Sequence, residues 1–328
     1  MTLLAPTLQA FFSDRMVNQK DASPRTIAAY RDAMRLLLQF ASQKTGKPPS
    51  RLTIEDLQAP LIGEFLDHLE HQRHNTPRTR NARLAAIHSL YRYAALRHPE
   101  HAHTIARVLD IPNKRYDRTI VAYLEQPEIT ALLAAPDRAT WLGRRDHALL
   151  LTAIQTGLRV SELVNLTIEH VRLDTGASIK VLGKGRKQRV APITPDTTTA
   201  LRAWLRERQG ENADPVFPTR QGRPLTAKAI AWLLDKHIST AARACPSLTS
   251  KRVTPHTLRH TNAMLLLANN DIATVALWLG HETIRSTEIY LHADNKIKQK
   301  AIETIAPADT PPGRYQPPDK LLAFLETL

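Results

Sequence analysis

Along most of the chain the apolar residues recur at helical spacing rather than in alternation. After Ser23 and Pro24, which suit a cap and a first helical turn, Ile27, Tyr30, Met34, Leu37 and Leu38 fall on one side, and Gly46 with Pro48-Pro49 stops the run. A second helix is predicted from Leu61, with Ile62, Phe65, Leu66 and Leu69 on one face before the polar HQRHN break. A third starts at the cap Thr76 and Pro77 and carries Leu84, Ile87, Tyr91 and Ala95 on its inner side. Its Arg78, Arg80, Arg83 and Arg92 lie off that face, where they meet solvent or a polyanion. The region to residue 112 is therefore expected to be an all-helical bundle of about one domain.

The run PNKRYDR that follows has a proline and three basic residues but no apolar period, so residues 113–125 are expected to form a linker. Helical patterning resumes at Gln126. It breaks at SIKVLGKGRKQRVAPI, where β-formers flank a Gly-Lys-Gly turn and predict a short hairpin. Helices are expected again at about 195–209 and 226–243, and from Thr254-Pro255. The fold class is thus mainly α with a small β-hairpin, in two domains, the second running over 126–306. After Ala306 the run TPPGRYQPP reads as an extended spacer, and the tail over 307–328 ends in DKLLAFLETL, with Leu321, Leu325 and Leu328 on one helical face. A helix that short is marginal alone and needs a surface to dock on, in its own domain or in a neighbouring protomer.

Charge changes the picture more than length does. Among 328 residues, 45 Lys and Arg face 31 Asp and Glu, a formal charge of +14, which points to a polyanionic partner without naming a reaction. The single cysteine, Cys245, excludes an intramolecular disulfide and a thiolate zinc site. The opening MTLLAPTLQAFFSDR lacks a secretion-signal pattern, and no stretch approaches the roughly 20 uncharged apolar residues that cross a bilayer. A cytoplasmic, nucleoid-associated protein is the expectation.

Four segments of the second region place Arg, Lys or His where they suit one task, stabilising a phosphate under attack: TGLRVSELVNL, GKGRKQR, PHTLRHTNAMLLL and LGHETIRSTEIYLH. Guanidinium groups stay charged at physiological pH and grip phosphate oxygens with a planar fork. Arg159 precedes an apolar helix, and Arg259 sits three residues after His256, so those two side chains are expected to share a helix face. Gly280 is expected to end a helix just before His281, and Tyr290 lies in the short polar segment STEIYLH, which suggests an exposed position. Read singly, each residue has an ordinary structural role, such as a salt bridge from Arg159 to Glu162.

Taken together and in this order, the four segments resemble the tyrosine recombinases, the phage-integrase and Xer-like superfamily. The likeness runs through most of residues 126–294, and SPRTIAAYRDAMRLLLQF resembles part of that family's core-binding domain. The resemblance implies a two-domain DNA clamp, with a core-binding bundle over 1–112 and a catalytic domain over 126–306. It also implies a catalytic set of Arg159, Lys184, His256, Arg259, His281 and Tyr290. Arg159 and Arg259 would hold the scissile phosphate, and His256 would take the tyrosine proton or hydrogen-bond the phosphate. His281 would donate to a phosphate oxygen, Glu162 would orient arginine, and Lys184 or Lys187 would protonate the departing 5′ oxygen. Tyr290 would attack to give a 3′-phosphotyrosyl link. No cofactor or metal is implied. The partners would be a double-stranded DNA site and further copies in a synaptic tetramer, linked through the 319–328 helix. The stretch around Asn262, Ala263 and Met264 departs from the aromatic-containing sequence expected after the His-x-x-Arg-His run.

Three other readings stay open at this point. A type IB topoisomerase uses similar tyrosine chemistry, and a non-catalytic DNA-binding protein would share the charge. His256 and His260, four apart, have zinc-ligand spacing, but the glutamate of an HExxH motif is missing and Arg259 stands between them.

Overall fold

The computed structural model describes residues 2–116, 121–182, 188–280, 283 and 286–290. By internal contacts the chain divides into two compact units, Met1–Arg118 and Thr119–Leu328.

The first unit is helical throughout. Helix α1 (Leu4–Ala10) continues into a wider turn over Phe11–Gln19, and α2 (Pro24–Thr45), α3 (Ala59–His71), α4 (Pro77–Ala95) and α5 (Ala102–Leu109) follow. The hydroxyls of Ser23 and Thr76 cap α2 and α4 by accepting from the backbone N–H of Thr26 and Thr79, as their sequence positions suggest. The expected inner faces are inside: Ile62, Phe65, Leu66 and Leu69 of α3 and Leu84, Ile87 and Tyr91 of α4 are buried together with Phe11, Leu37 and Val108. The buried Tyr91 hydroxyl donates to the Leu57 carbonyl at 2.5 Å, which satisfies the one polar atom that side chain brings into the core.

Helices α1 and α5 were not expected from the apolar period. Each is short, and in α5 only Ile105 and Val108 are buried, too few positions for a period to stand out. The basic side of α4 is not uniformly free either. Arg80 turns to Glu70 at 3.6 Å, and both side chains are largely covered.

The expected linker is held at both ends. Asn81 donates to the Lys114 carbonyl at 2.8 Å and accepts from the Lys114 backbone N–H at 3.0 Å, while the Lys114 ammonium reaches Glu70 at 3.0 Å. Beyond the undescribed residues, Leu124 donates its backbone N–H to the buried Thr261 hydroxyl at 2.9 Å, so this stretch already packs on the second unit.

In the second unit, α6 (Gln126–Ala134), α7 (Trp141–Thr156), α8 (Val160–Val164), α9 (Pro195–Arg208), α10 (Ala227–Ala241) and the start of α11 (Pro255–Leu267) surround one main core, while the rest of α11 packs with α12 (Ile272–Leu279) in a smaller cluster. The expected hairpin is β2 (Ser178–Leu182) paired antiparallel with β3 (Gln188–Pro192), in a register that sets Ile179 opposite Ala191, both buried. A third strand, β1 (Val171–Arg172), extends the sheet in the order β1-β2-β3 and is too short to alternate visibly. Lys184 and Lys187, expected at the hairpin tip, lie outside the described residues, as do His281 and the tail over 307–328. No helix among the described residues is long and apolar enough to cross a membrane.

Three side chains cross-link this core. Asp146 accepts both Arg145 donors at 2.9 and 2.7 Å on one oxygen and pairs with His237 at 2.9 Å on the other, and Arg145 also donates to the Pro218 carbonyl. All three are buried, so each charge has its counterpart where water cannot supply one.

Candidate active site

The site gathers where α7 ends, α11 begins and α12 stops. Gly157 closes α7 in the left-handed region at φ 60°, and a Cβ there would lie 2.5 Å from the Asn262 side-chain oxygen and 2.8 Å from Leu279. Glycine is required twice over, for the dihedral and for the space. Asn262 in turn donates to the Gln155 carbonyl at 2.7 Å, tying α11 to the last turn of α7. This is the position where the sequence departs from the expected pattern. The buried amide there binds helix α7 instead of filling space with an aromatic ring.

Arg159 follows as the cap residue of α8, and Glu162 folds back on it. One carboxylate oxygen accepts the Arg159 backbone N–H at 2.8 Å, and the other accepts its guanidinium at 2.8 Å. The expected pair to Glu162 is therefore present, but it orients Arg159 rather than occupying it. The side chain is still about one-third exposed and makes a second, longer bond to the Gly280 carbonyl at 3.2 Å.

Glu162 also receives a two-pronged contact from Arg189 of β3, at 3.0 Å to each oxygen. Burial alone would disfavour the Glu162 charge. The hydrogen bonds and positive fields of Arg189, together with the Arg159 backbone bond, outweigh it and hold the carboxyl below its ordinary range. Arg189 is the participant that sequence reading missed. It is 27 residues from Glu162 on another element, and its only local signal is a cation at a strand position whose neighbours alternate in burial.

Helix α11 begins at Thr254, whose hydroxyl accepts the Thr257 N–H while the Thr257 hydroxyl accepts the Thr254 N–H, with Pro255 in the first turn. That cap fixes where the helix starts. Arg259 is 2% exposed. Its two terminal nitrogens donate to the Gly157 carbonyl at 2.6 Å and the Leu279 carbonyl at 2.7 Å, joining the ends of α7 and α12. Burial first, and then the nearby Arg159, push its pKa down to about 10, so it stays charged at neutral pH.

His256 does not share this depth. It is exposed, and its ring meets the ring of His260 one turn on, edge to face with centroids 4.8 Å apart. His256 and Arg259 stand three apart on one helix, as expected, but Arg259 is buried while His256 is at the surface against His260. Gly280 ends α12 in the left-handed region at φ 63°, as the sequence suggests for the residue before His281.

Tyr290 corrects an expectation. It lies in a single helical turn, Glu288–Tyr290, and is 1% exposed, packed with Ala263, Met264, Leu267, Val275 and Leu279, whereas the polar look of STEIYLH suggested an exposed position. Ser286 is exposed, but Thr287 is buried, and Ile289 and Tyr290 pack inward with it. The hydroxyl is not stranded there. It is 2.9 Å from Nδ1 of His260. Burial holds its pKa above the ordinary phenol value; Arg259 and then Arg159 pull in the opposite direction without outweighing it. His260, considered above only as a metal ligand, is therefore the tyrosine's partner. Among the described residues no group of three His, Cys, Asp or Glu side chains is placed to hold a metal ion.

A phenol, two guanidinium groups that favour its ionised form, and two histidines within one turn of helix make a site suited to an oxygen nucleophile and an anionic electrophile. Residues 122–296 match the phage integrase family, and residues 9–98 match its N-terminal SAM-like domain. The chain belongs to the phage integrase family.

Among its relatives, "Putative integrase/recombinase y4rC" of Sinorhizobium fredii is 50% identical over 99% of this chain and 98% of its own length. The tyrosine recombinase XerC of Pelobacter propionicus is 31% identical over 86% of this chain and 89% of its own. The fold also resembles the XerH recombinase crystallised with palindromic difH substrate after cleavage. That match has a TM-score of 0.70 at 20% identity, covering 87% of this chain and 81% of that one. The Tn1549 transposon integrase in complex with transposon right end DNA gives 0.69 at 17%, covering 92% and 99%.

Proposed function

We propose that this phage-integrase-family chain is a site-specific DNA recombinase, that Tyr290 is its nucleophile, and that it works without metal or nucleotide. The observation that carries the proposal is the Tyr290 hydroxyl, bonded to His260 at 2.9 Å in a pocket where Arg259 and Arg159 both favour its ionised form.

The chemistry follows from what phosphodiester cleavage needs. Negative charge grows on the two non-bridging oxygens as the phosphorus is attacked, and fixed cations supply the stabilisation. Arg159, partly exposed and aimed by Glu162, and Arg259, fixed by two carbonyls, are the pair for this task. His281 adds a donor to the phosphate. Attack by Oη forms a 3′-phosphotyrosyl bond and breaks the bond to the 5′ oxygen. Lys184, with Lys187 as the alternative, protonates that oxygen from the hairpin tip. The phosphotyrosyl bond conserves the cleaved bond's energy, so the 5′ hydroxyl of a partner strand reverses the step and completes the exchange.

Duplex DNA is the partner that the formal charge of +14 suits, and the structural neighbours named above were crystallised with DNA. Exchange between two duplexes calls for four protomers, with the apolar helix over 319–328 as the element that links neighbours.

The test uses nicked duplexes tiled across the DNA that flanks the chain's own gene, with a chelator present. A nick beside the scissile bond lets the short product diffuse away and traps the covalent state. The expected result is a denaturant-resistant protein–DNA adduct on the 3′ end of one duplex, with slower complexes of higher copy number in native gels. Binding with no adduct on any duplex would point to a non-catalytic DNA-binding protein. Relaxation of supercoils at no defined site would point to a type IB topoisomerase.

A further inference from the structure

A buried phenol cannot lose its proton to bulk water. Tyr290 is 1% exposed, and the apolar side chains of Ala263, Met264, Leu267, Val275 and Leu279 close around it. The two arginines near it carry protons they do not release at neutral pH, so they stabilise a phenolate but cannot generate one. What the hydroxyl does touch is Nδ1 of His260, at hydrogen-bond length, and the two rings meet edge to face with centroids 5.5 Å apart. The His260 ring also meets that of His256, which is exposed, edge to face with centroids 4.8 Å apart. The three groups thus run in order from a buried oxygen, through a partly buried imidazole, to an imidazole at the surface.

Resting on the reading of Tyr290 as the nucleophile, we propose that His260 is a catalytic residue, the general base that takes the Tyr290 proton, and that His256 passes this proton on to solvent. With the ring neutral and its proton on Nε2, the Tyr290 O–H donates to Nδ1. As the Oη–P bond forms and the P–O5′ bond breaks, the phenolic proton moves to Nδ1 and His260 becomes an imidazolium. The 5′ oxygen takes its own proton from the hairpin lysine, so the two transfers are separate and no outside reactant is needed. Arg159 and Arg259 then face a third cation nearby, which favours release of the proton toward His256. In religation a proton taken up from solvent by the same route returns through His260 to Oη. Among the described residues, the titratable and charged groups placed near the pair include His256 on the same helix, Arg259 and Arg159, and Tyr123, packed against the same cluster.

A 5′-bridging phosphorothiolate at the scissile bond separates this role from that of the acid, because a sulfur leaving group departs without a proton. The variant is His260→Asn, whose side chain can still hydrogen-bond near the Nδ1 position but does not take up a proton at neutral pH. Single-turnover cleavage by this variant is expected to fall on the order of 10²–10⁴-fold on the oxygen substrate and by a similar factor on the phosphorothiolate. DNA affinity and thermal midpoint should stay at wild-type values. On the phosphorothiolate, the wild-type rate should rise with pH and reach a plateau once the imidazole is neutral, while the variant's rate should keep rising with hydroxide.

A variant that cleaves at the wild-type rate, keeps the wild-type pH profile, or is restored by the sulfur leaving group would overturn the assignment. If His260→Asn is unstable, His260→Gly with added imidazole reports on the same point: recovery of rate with imidazole supports the base, and a folded variant that imidazole does not rescue contradicts it. Adduct formation by Tyr290→Phe on either substrate would instead remove the nucleophile assignment on which the proposal stands.

Discussion

Arg259→Lys is expected to slow strand cleavage on the order of 10²–10³-fold while leaving DNA affinity within a few-fold of the parent, as read by single-turnover kinetics on a nicked duplex. Lysine keeps the charge but not the fork. A guanidinium can hold the Gly157 and Leu279 carbonyls with two of its N–H groups and still present others to a phosphate, whereas an ammonium on a flexible stem makes fewer and less directed bonds. Arg259→Ala is expected to do more. It removes the charge and leaves two carbonyls unpaired where water is scarce, at a cost of about 1–3 kcal/mol each. A lower thermal midpoint should therefore accompany its loss of cleavage. Wild-type cleavage by Arg259→Lys would show that the buried guanidinium is a structural clasp and nothing more.

The second large effect is expected at Glu162. Its carboxylate holds the Arg159 backbone, the Arg159 guanidinium and both prongs of Arg189. Breaking a buried ion pair by removing one partner costs about 3–5 kcal/mol, because the other charge stays behind. Glu162→Ala is expected to lose stability in that range in urea unfolding, and to lose cleavage because Arg159 is no longer aimed. The pH dependence has a definite sign. The folded carboxyl titrates below its ordinary value of 4.5, so the folded state holds its charge where the unfolded state would protonate. The resulting stability is present above pH 4.5 and is lost as pH falls through the depressed folded value. Glu162→Gln should therefore be less stable than the parent at neutral pH and lose less on acidification below 4.5. Parallel pH curves for the two proteins would mean that Glu162 does not carry this linkage.

What could be read from the sequence was the local part. Ser23, Thr76 and Thr254 cap helices through bonds to residues three positions away, and Gly280 turns the chain out of α12, so each acts within one turn of itself. The hairpin was legible because β-formers flank a glycine turn, and the Arg159–Glu162 pair because the two are three apart. The rest of the site is built by contacts between distant elements. Arg189 reaches Glu162 across the end of the sheet, and Asn262 binds the last turn of α7. No spacing along the chain encodes either.

The two misreadings share a cause. A segment's polarity is an average, and STEIYLH averages to exposed although its Tyr290 is among the most buried residues in the protein. His260 was weighed by its spacing to His256, which suggests a metal, whereas the hydroxyl it bonds, that of Tyr290, is 30 residues away. Depth and partnership depend on how α11 is rotated, and that is fixed by packing around it rather than by its own sequence.

The decisive measurement is trapping on one nicked duplex with wild type and Tyr290→Phe side by side, followed by proteolysis and mass spectrometry of the DNA-linked peptide. The expected result is a wild-type adduct carried by the peptide containing Tyr290 and joined to a 3′ phosphate, with equal DNA binding but no adduct for the phenylalanine variant. An adduct that persists in Tyr290→Phe, or one that maps to another residue, would contradict the assignment of the nucleophile.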